Sequence, residues 1–225
     1  MKPIKKSRFF CLHPKINKGK LDTLEALHVE CCSYAKVCLR EMLERKQYKL
    51  KREEKQAFFP PAENLSSQIE KNVRAQVIGL VVGWVKGQYA TRIKKRIQEF
   101  KHNKSITPDQ ARQLFTIGKF TVLESTDTIP QDMVDFYWDF IFEFNRGNPP
   151  KVRDSFPMLL SEMTSSFTDP EDTVLADFWL KISNLQRRKV IWLPLVGNHY
   201  IRHANDVGKG IIARKTKCGK WGFGA

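Results

Sequence analysis

The last quarter of the chain constrains its fold most. Between Phe178 and Ser183, apolar Phe178, Leu180 and Ile182 alternate with Trp179, Lys181 and Ser183. A period of two is the mark of a strand with one buried face. Asn184 to Arg188 reads as a turn and Lys189–Leu193 as the returning strand. Pro194 is expected to end it, because proline has no amide hydrogen for a ladder. Gly197-Asn198 reads as a second turn, His199–Ala204 and Lys209–Lys215 as further strands, and Gly219 as the turn into Lys220–Phe223. The chain then ends at Ala225, in what reads as the middle of a sheet. Near the other terminus, Lys6 to Leu12 reads as one more strand, closed by His13-Pro14.

Between these strands the period changes to that of helices. Leu21, Leu24, Leu27, Cys31, Ala35, Cys38, Leu39 and Met42 predict a helix over about 20–46. The charge run Tyr48 to Lys55 reads as a solvated helix end or a linker, and Phe58-Phe59-Pro60-Pro61 as a break. A second helix is expected from Asn64 or Ser66 through Tyr89 to about Phe100, on the stripe Leu65, Ile69, Val73, Val77, Leu80 and Trp84. Gly79, Gly83 and Gly87 recur every four residues along it. Close helix packing is the favoured reading there, ahead of close approach by a nucleic-acid backbone. Thr107, Pro108 and Gln110 fit an N-cap, the first helical position and the capping-box partner, predicting a helix to about Thr116 that ends at Gly118.

A further helix is expected from near Pro130 to Gly147, with Met133, Phe136, Tyr137, Phe140, Ile141 and Phe144 on one face. Asp132, Asp135, Asp139 and Glu143 form its opposite face. They read as a solvated acidic face, since nothing supplies the complementary ligands of a metal site. Short helical turns are expected around Met158–Met163 and Glu171–Ala176.

Charge narrows the partner class. The net charge is +15, unevenly spread: +8 over 1–60, +6 over 61–104, −8 over 105–180 and +9 over 181–225. Such a surplus favours a polyanion, because each phosphate neutralised by Lys or Arg releases condensed counterions. The five cysteines, Cys11, Cys31, Cys32, Cys38 and Cys218, contain no C-x-x-C pair, and with no signal sequence they point to reduced thiols in a cytoplasmic compartment. No uncharged run approaches the ~18 residues of a membrane span. Nucleophile-elbow, phosphate-loop and H-E-x-x-H motifs are absent, and His199 and His203 fall in strand-like sequence where a spacing of four does not suit a metal.

Two basic clusters remain. Arg187, Arg188, Lys189, Arg202, Lys209, Arg214, Lys215 and Lys217, with His199 and Tyr200, lie on the terminal strands and turns. Lys86, Gln88, Tyr89, Arg92, Lys94, Lys95 and Arg96 lie towards the end of the long helix. Trp192, Tyr200 and Trp221 interleave with the first cluster, and aromatics beside Arg or Lys suit the stacking of unpaired bases. Of the three, Trp192 is expected in the core.

The order of elements, with Phe178-Trp179-Leu180-Lys181-Ile182-Ser183 and Lys189-Val190-Ile191-Trp192-Leu193-Pro194-Leu195, resembles the N-terminal half of transposon-encoded TnpB proteins and the compact type V CRISPR effectors of the Cas12 class. The resemblance implies an α+β fold: a small wedge-like β-barrel formed by the N-terminal strand (1–18) and the C-terminal strands (178–225), around a mainly helical, REC-like insertion (19–177). It implies that the terminal cluster holds the scaffold of a guide RNA, and that the helical cluster contacts target DNA and the guide–target heteroduplex. In that family a RuvC nuclease follows the wedge. This sequence has no acid beyond Asp206, so no catalytic residue, metal or cofactor is expected in it. Mg²⁺ would enter only with a RuvC domain on a downstream or partner polypeptide, and a homodimer partner is a further possibility. The expected setting is the cytoplasm of a prokaryote or a phage-infected cell. Two other readings stay open: a guide-independent DNA-binding regulator or transposon accessory protein, and an inhibitor whose acidic block mimics nucleic acid.

Overall fold

The computed structural model describes residues 9–45, 47, 57–88, 94–120, 131–132, 134–135, 139, 149–168, 176–185, 189–197, 210–216 and 219–224. Among the described residues there are seven strands, β1 (Phe9–Leu12), β2 (Met158–Leu160), β3 (Ser165–Thr168), β4 (Phe178–Ser183), β5 (Val190–Val196), β6 (Ile211–Lys215) and β7 (Trp221–Gly224). Four helices run through the described residues, α1 (Lys18–Glu44), α2 (Ser67–Gln88), α3 (Lys94–His102) and α4 (Pro108–Phe120), and further helical residues fall at 131–132, 134–135 and 139. The chain forms two compact units, one of Met1–Lys36, Pro61–Arg74 and Val152–Ala225, the other of Val37–Pro60 and Ala75–Lys151.

The first unit is built on one antiparallel sheet in the order β2-β6-β7-β1-β5-β4-β3. Its edges, β2 and β3, are neighbours in sequence. The five residue steps from Leu160 to Ser165 span at most ~18 Å, whereas the edges of a flat seven-stranded sheet would lie about 29 Å apart. The sheet must therefore curl, and it forms a nearly closed, barrel-like sheet. At the seam the amides of Thr164 and Ser165 both donate to the Ser161 carbonyl, each at 2.9 Å. Asn72 on α2 donates from its side-chain amide to the Leu159 carbonyl (3.1 Å), tying helix to seam.

Strand β1 lies between β5 and β7, with Leu12 opposite Leu195 and Phe10 opposite Phe223. Phe10, Phe178, Leu180, Leu193 and Phe223 point inward and are fully buried. The Phe10 ring packs on Phe167 (5.1 Å) and edge-on to Phe178 (5.4 Å). The first turns of α1 meet the sheet through Lys215, which pairs with Glu25 at 2.9 Å, and through Trp221, whose ring meets His28 edge-on at 5.0 Å.

Four local expectations are corrected. Met158–Met163 is not a helical turn: Met158–Leu160 pairs with β6 and Ser165–Thr168 with β4. Ladders to distant strands override local helix preference, and helical spacing survives only in the turn between them, where the Thr164 and Ser165 amides donate to the Ser161 carbonyl. Strand β5 does not stop at Pro194 but runs to Val196. The Pro194 carbonyl accepts from the His13 amide at 2.9 Å, so its polar backbone faces β1 at the rung where β1 ends. The missing N–H costs the sheet only that rung's reciprocal bond. Helix α4 passes Gly118 and reaches Phe120, as a glycine inside a helix costs only about 1 kcal/mol. The stripe Gly79, Gly83 and Gly87 is exposed, and a Cβ at each would meet nothing within 4 Å among the described residues.

The expected helix through Tyr89 appears as α2 and α3, with residues 89–93 outside the described residues. The capping box at α4 forms as read: the Thr107 amide donates to Gln110 Oε1 (2.9 Å) and the Gln110 amide to Thr107 Oγ1 (3.1 Å). Asp132, Asp135 and Asp139 are helical and exposed, and Glu143 lies outside the described residues. So do residues 1–8, 169–175 and 198–209, with the proposed strand at His199–Ala204. Among the described residues no helix is long and apolar enough to cross a membrane.

Candidate nucleic-acid interface

The pleat sends alternate residues of the sheet outward, and register decides which of them meet. Across β4 and β5, Trp179 stands opposite the buried Pro194, Lys181 opposite Trp192, and Ser183 opposite Val190. The Lys181 ammonium stands 5.6 Å from the centre of the Trp192 ring. Lys20, at the start of α1, brings its ammonium to 5.0 Å from the Trp179 ring. One face of a hairpin thus carries two lysine-over-tryptophan pairs. Trp192 is 38% exposed, which corrects its expected place in the core. Trp221, expected as a stacking residue, is buried at 3% exposure between His28 and Phe223.

A polar hollow of about 240 Å³ opens beside this pair, lined by Glu162, Thr164, Ser166, Lys181 and Ser183. Lys189 is exposed where β5 begins. Arg187 and Arg188, which precede it in sequence, lie outside the described residues, as do His199, Tyr200, Arg202, Lys209 and Lys217.

Farther round the sheet, Arg214 is exposed on β6, its guanidinium 5.9 Å from the centre of the Phe9 ring. Phe9 is 43% exposed, and the far end of its ring lies over Gly222, where any Cβ would overlap it. Lys215 instead points inward to Glu25, so its charge is already answered by a carboxylate.

The helical cluster belongs to the other unit. Lys94, Lys95 and Arg96 are exposed in the first turn of α3. Arg96 donates to Glu99 (2.6 Å) and lies over Phe100 (4.9 Å). Lys86 is exposed in the last turn of α2, which Gln88 closes. The Gln88 side chain, Tyr89 and Arg92 lie outside the described residues.

Sequence reasoning did not single out Lys20, Trp179, Lys181 or Phe9 as site residues. Lys181 opposite Trp192 was within reach, since it follows once the hairpin register is known. Lys20 above Trp179 joins residues far apart in sequence and has no local signal.

The cysteines divide by surroundings. Burial pushes the Cys31 thiol up to about 12, with Cys32 and Glu30 nearby adding to the effect. The Cys32 thiol is raised as well, mainly by burial and partly offset by Lys36. Cys11 is exposed. Among the described residues no group of three or more His, Cys, Asp or Glu side chains is placed to hold a metal ion. In comparisons with protein-family models and with curated proteins, nothing matches this chain.

Proposed function

We propose that this chain is the RNA-holding and target-recognising module of an RNA-guided DNA-binding system, with the outer face of the sheet as wedge and the helical unit as its REC-like part. The observation that carries the reading is the pair of lysine-capped tryptophans on the outer face of β4 and β5. They stand in the block with the highest net charge, +9 over 181–225, or at its border. Aromatic faces beside ammonium groups take unstacked bases and their phosphates, the pattern of structured or single-stranded RNA surfaces. The scaffold RNA then lies along Arg187, Arg188, Lys189, Lys181 and Trp192. The exposed cations Lys86, Lys94 and Lys95 serve the phosphates of target DNA and heteroduplex. A nuclease centre would act on the bound target from a separate domain or polypeptide.

The test is what the purified protein carries. A discrete structured RNA is expected; duplex DNA alone would support a guide-independent regulator instead, and a protein partner with neither nucleic acid would support the inhibitor. The triple substitution Arg187→Ala, Arg188→Ala, Lys189→Ala should weaken RNA retention and lower the salt slope by up to about 3, close to one for each phosphate no longer neutralised. A slope unchanged across a salt titration removes that turn from the interface.

A further inference from the structure

We infer that the cavity where β1 ends, α1 begins and the β6–β7 hairpin turns is a pocket for one unpaired nucleotide. The inference rests on the RNA-binding reading above and adds a second contact of different chemistry. The cavity measures about 460 Å³, within the ~300–1,000 Å³ typical of small-ligand sites. Leu12, Pro14, Ile16 and Leu21 wall it with apolar surface, and the Trp221 indole lines it. The Trp221 Nε1–H is buried and has no hydrogen-bond partner among the described residues.

The rim is cationic. Lys220 and His13 line the cavity. His13 Nδ1 accepts from the Lys15 amide at 3.1 Å, so the neutral ring keeps its proton on Nε2 and offers it as a donor. The described residues of the neighbouring segments, 13–20, 214–216 and 219–220, hold six Lys or Arg, of which Lys215 is paired with Glu25. An apolar slot with the Lys220 ammonium and the His13 ring at its lining suits a base followed by its phosphate. Its size admits one base, so the nucleotide must be unstacked from its neighbours, as in RNA loops and bulges.

Cys11 lies on the cavity wall with an exposed thiol, while Cys31, Cys32 and Cys38 are buried. In a Cys218→Ser chain, maleimide labelling therefore reports on Cys11. With the co-purified RNA bound, labelling should slow at least tenfold, and nuclease digestion should restore the rate. Ile16→Trp fills the cavity from its half-buried wall. It should leave the melting temperature within a few degrees and weaken RNA affinity about tenfold, in line with the removal of one bound base. RNA that stays bound while Cys11 labels at the free rate, or that binds Ile16→Trp as tightly as the parent, overturns the pocket and leaves the wider reading intact. A chain that holds no RNA overturns both.

Discussion

Trp192 and Trp221 show how little a residue's type says about its task. Both are tryptophans on strands of a basic segment, yet register turns one outward and the other onto His28 and Phe223. Trp192→Ala should therefore separate binding from folding. Loss of one base-stacking platform predicts RNA affinity weaker by about 5- to 150-fold, for ~1–3 kcal/mol per base, with the urea midpoint nearly unmoved because the ring is already part-exposed. Equal affinity in a filter-binding titration would take Trp192 out of the interface. Arg74 presents the opposite case. Its guanidinium is bonded to Glu70, and its Nε–H donates to Tyr34 Oη at 2.6 Å. The Tyr34 hydroxyl in turn donates to Glu70 Oε1 at 3.0 Å. With both charged side chains largely buried, Arg74→Ala leaves the Glu70 carboxylate hydrogen-bonded to Tyr34 but without its counter-charge, and should cost about 3–5 kcal/mol in urea unfolding. A loss under about 1 kcal/mol would place the pair among ordinary surface bridges.

At the scale of elements, what could be read in the sequence was what is encoded locally. The alternation of β4 emerges with Phe178, Leu180 and Ile182 buried. The capping box forms between Thr107 and Gln110, and Gly219 turns the last hairpin at a φ of 75°, where glycine meets no steric penalty. Strands β2 and β3 were not legible. Met158–Thr168 contains no alternation long enough to stand out, and its two halves pair with β6 and β4, strands that sequence order cannot connect to it. Pro194 misled for a related reason: a proline ends a strand only where its missing N–H is needed, and the side it faces is a property of the assembled sheet. The glycine stripe on α2 has the spacing of a packing face, yet it is exposed. The candidate site divides the same way. Its cations were visible as charge, but their pairing with tryptophans follows from register and from the return of α1 to the sheet.

At the scale of the whole chain, β1 is the element on which the sheet turns. It is only four residues long, yet it is bonded on both sides, to β5 and to β7, and Phe10 opposite Phe223 joins positions 213 residues apart. Pairings of that separation form late, because loop closure must be met before they add stability. Without β1, both β5 and β7 become edges with unpaired amides and carbonyls, and Phe167 and Phe178 lose the ring that packs between them. Deleting Phe9–Leu12 should therefore abolish the cooperative unfolding of the sheet, read as the loss of a sigmoidal urea transition in tryptophan fluorescence. A peptide spanning residues 6–14, added in excess, should restore the transition in a concentration-dependent way. A deletion variant that still unfolds at the parental midpoint would mean that β5 and β7 can close on each other, and that β1 is an ornament on a sheet complete without it. RNA retention should follow the same titration, since β4 and β5 keep their place in the curled sheet only while β1 is paired beside β5.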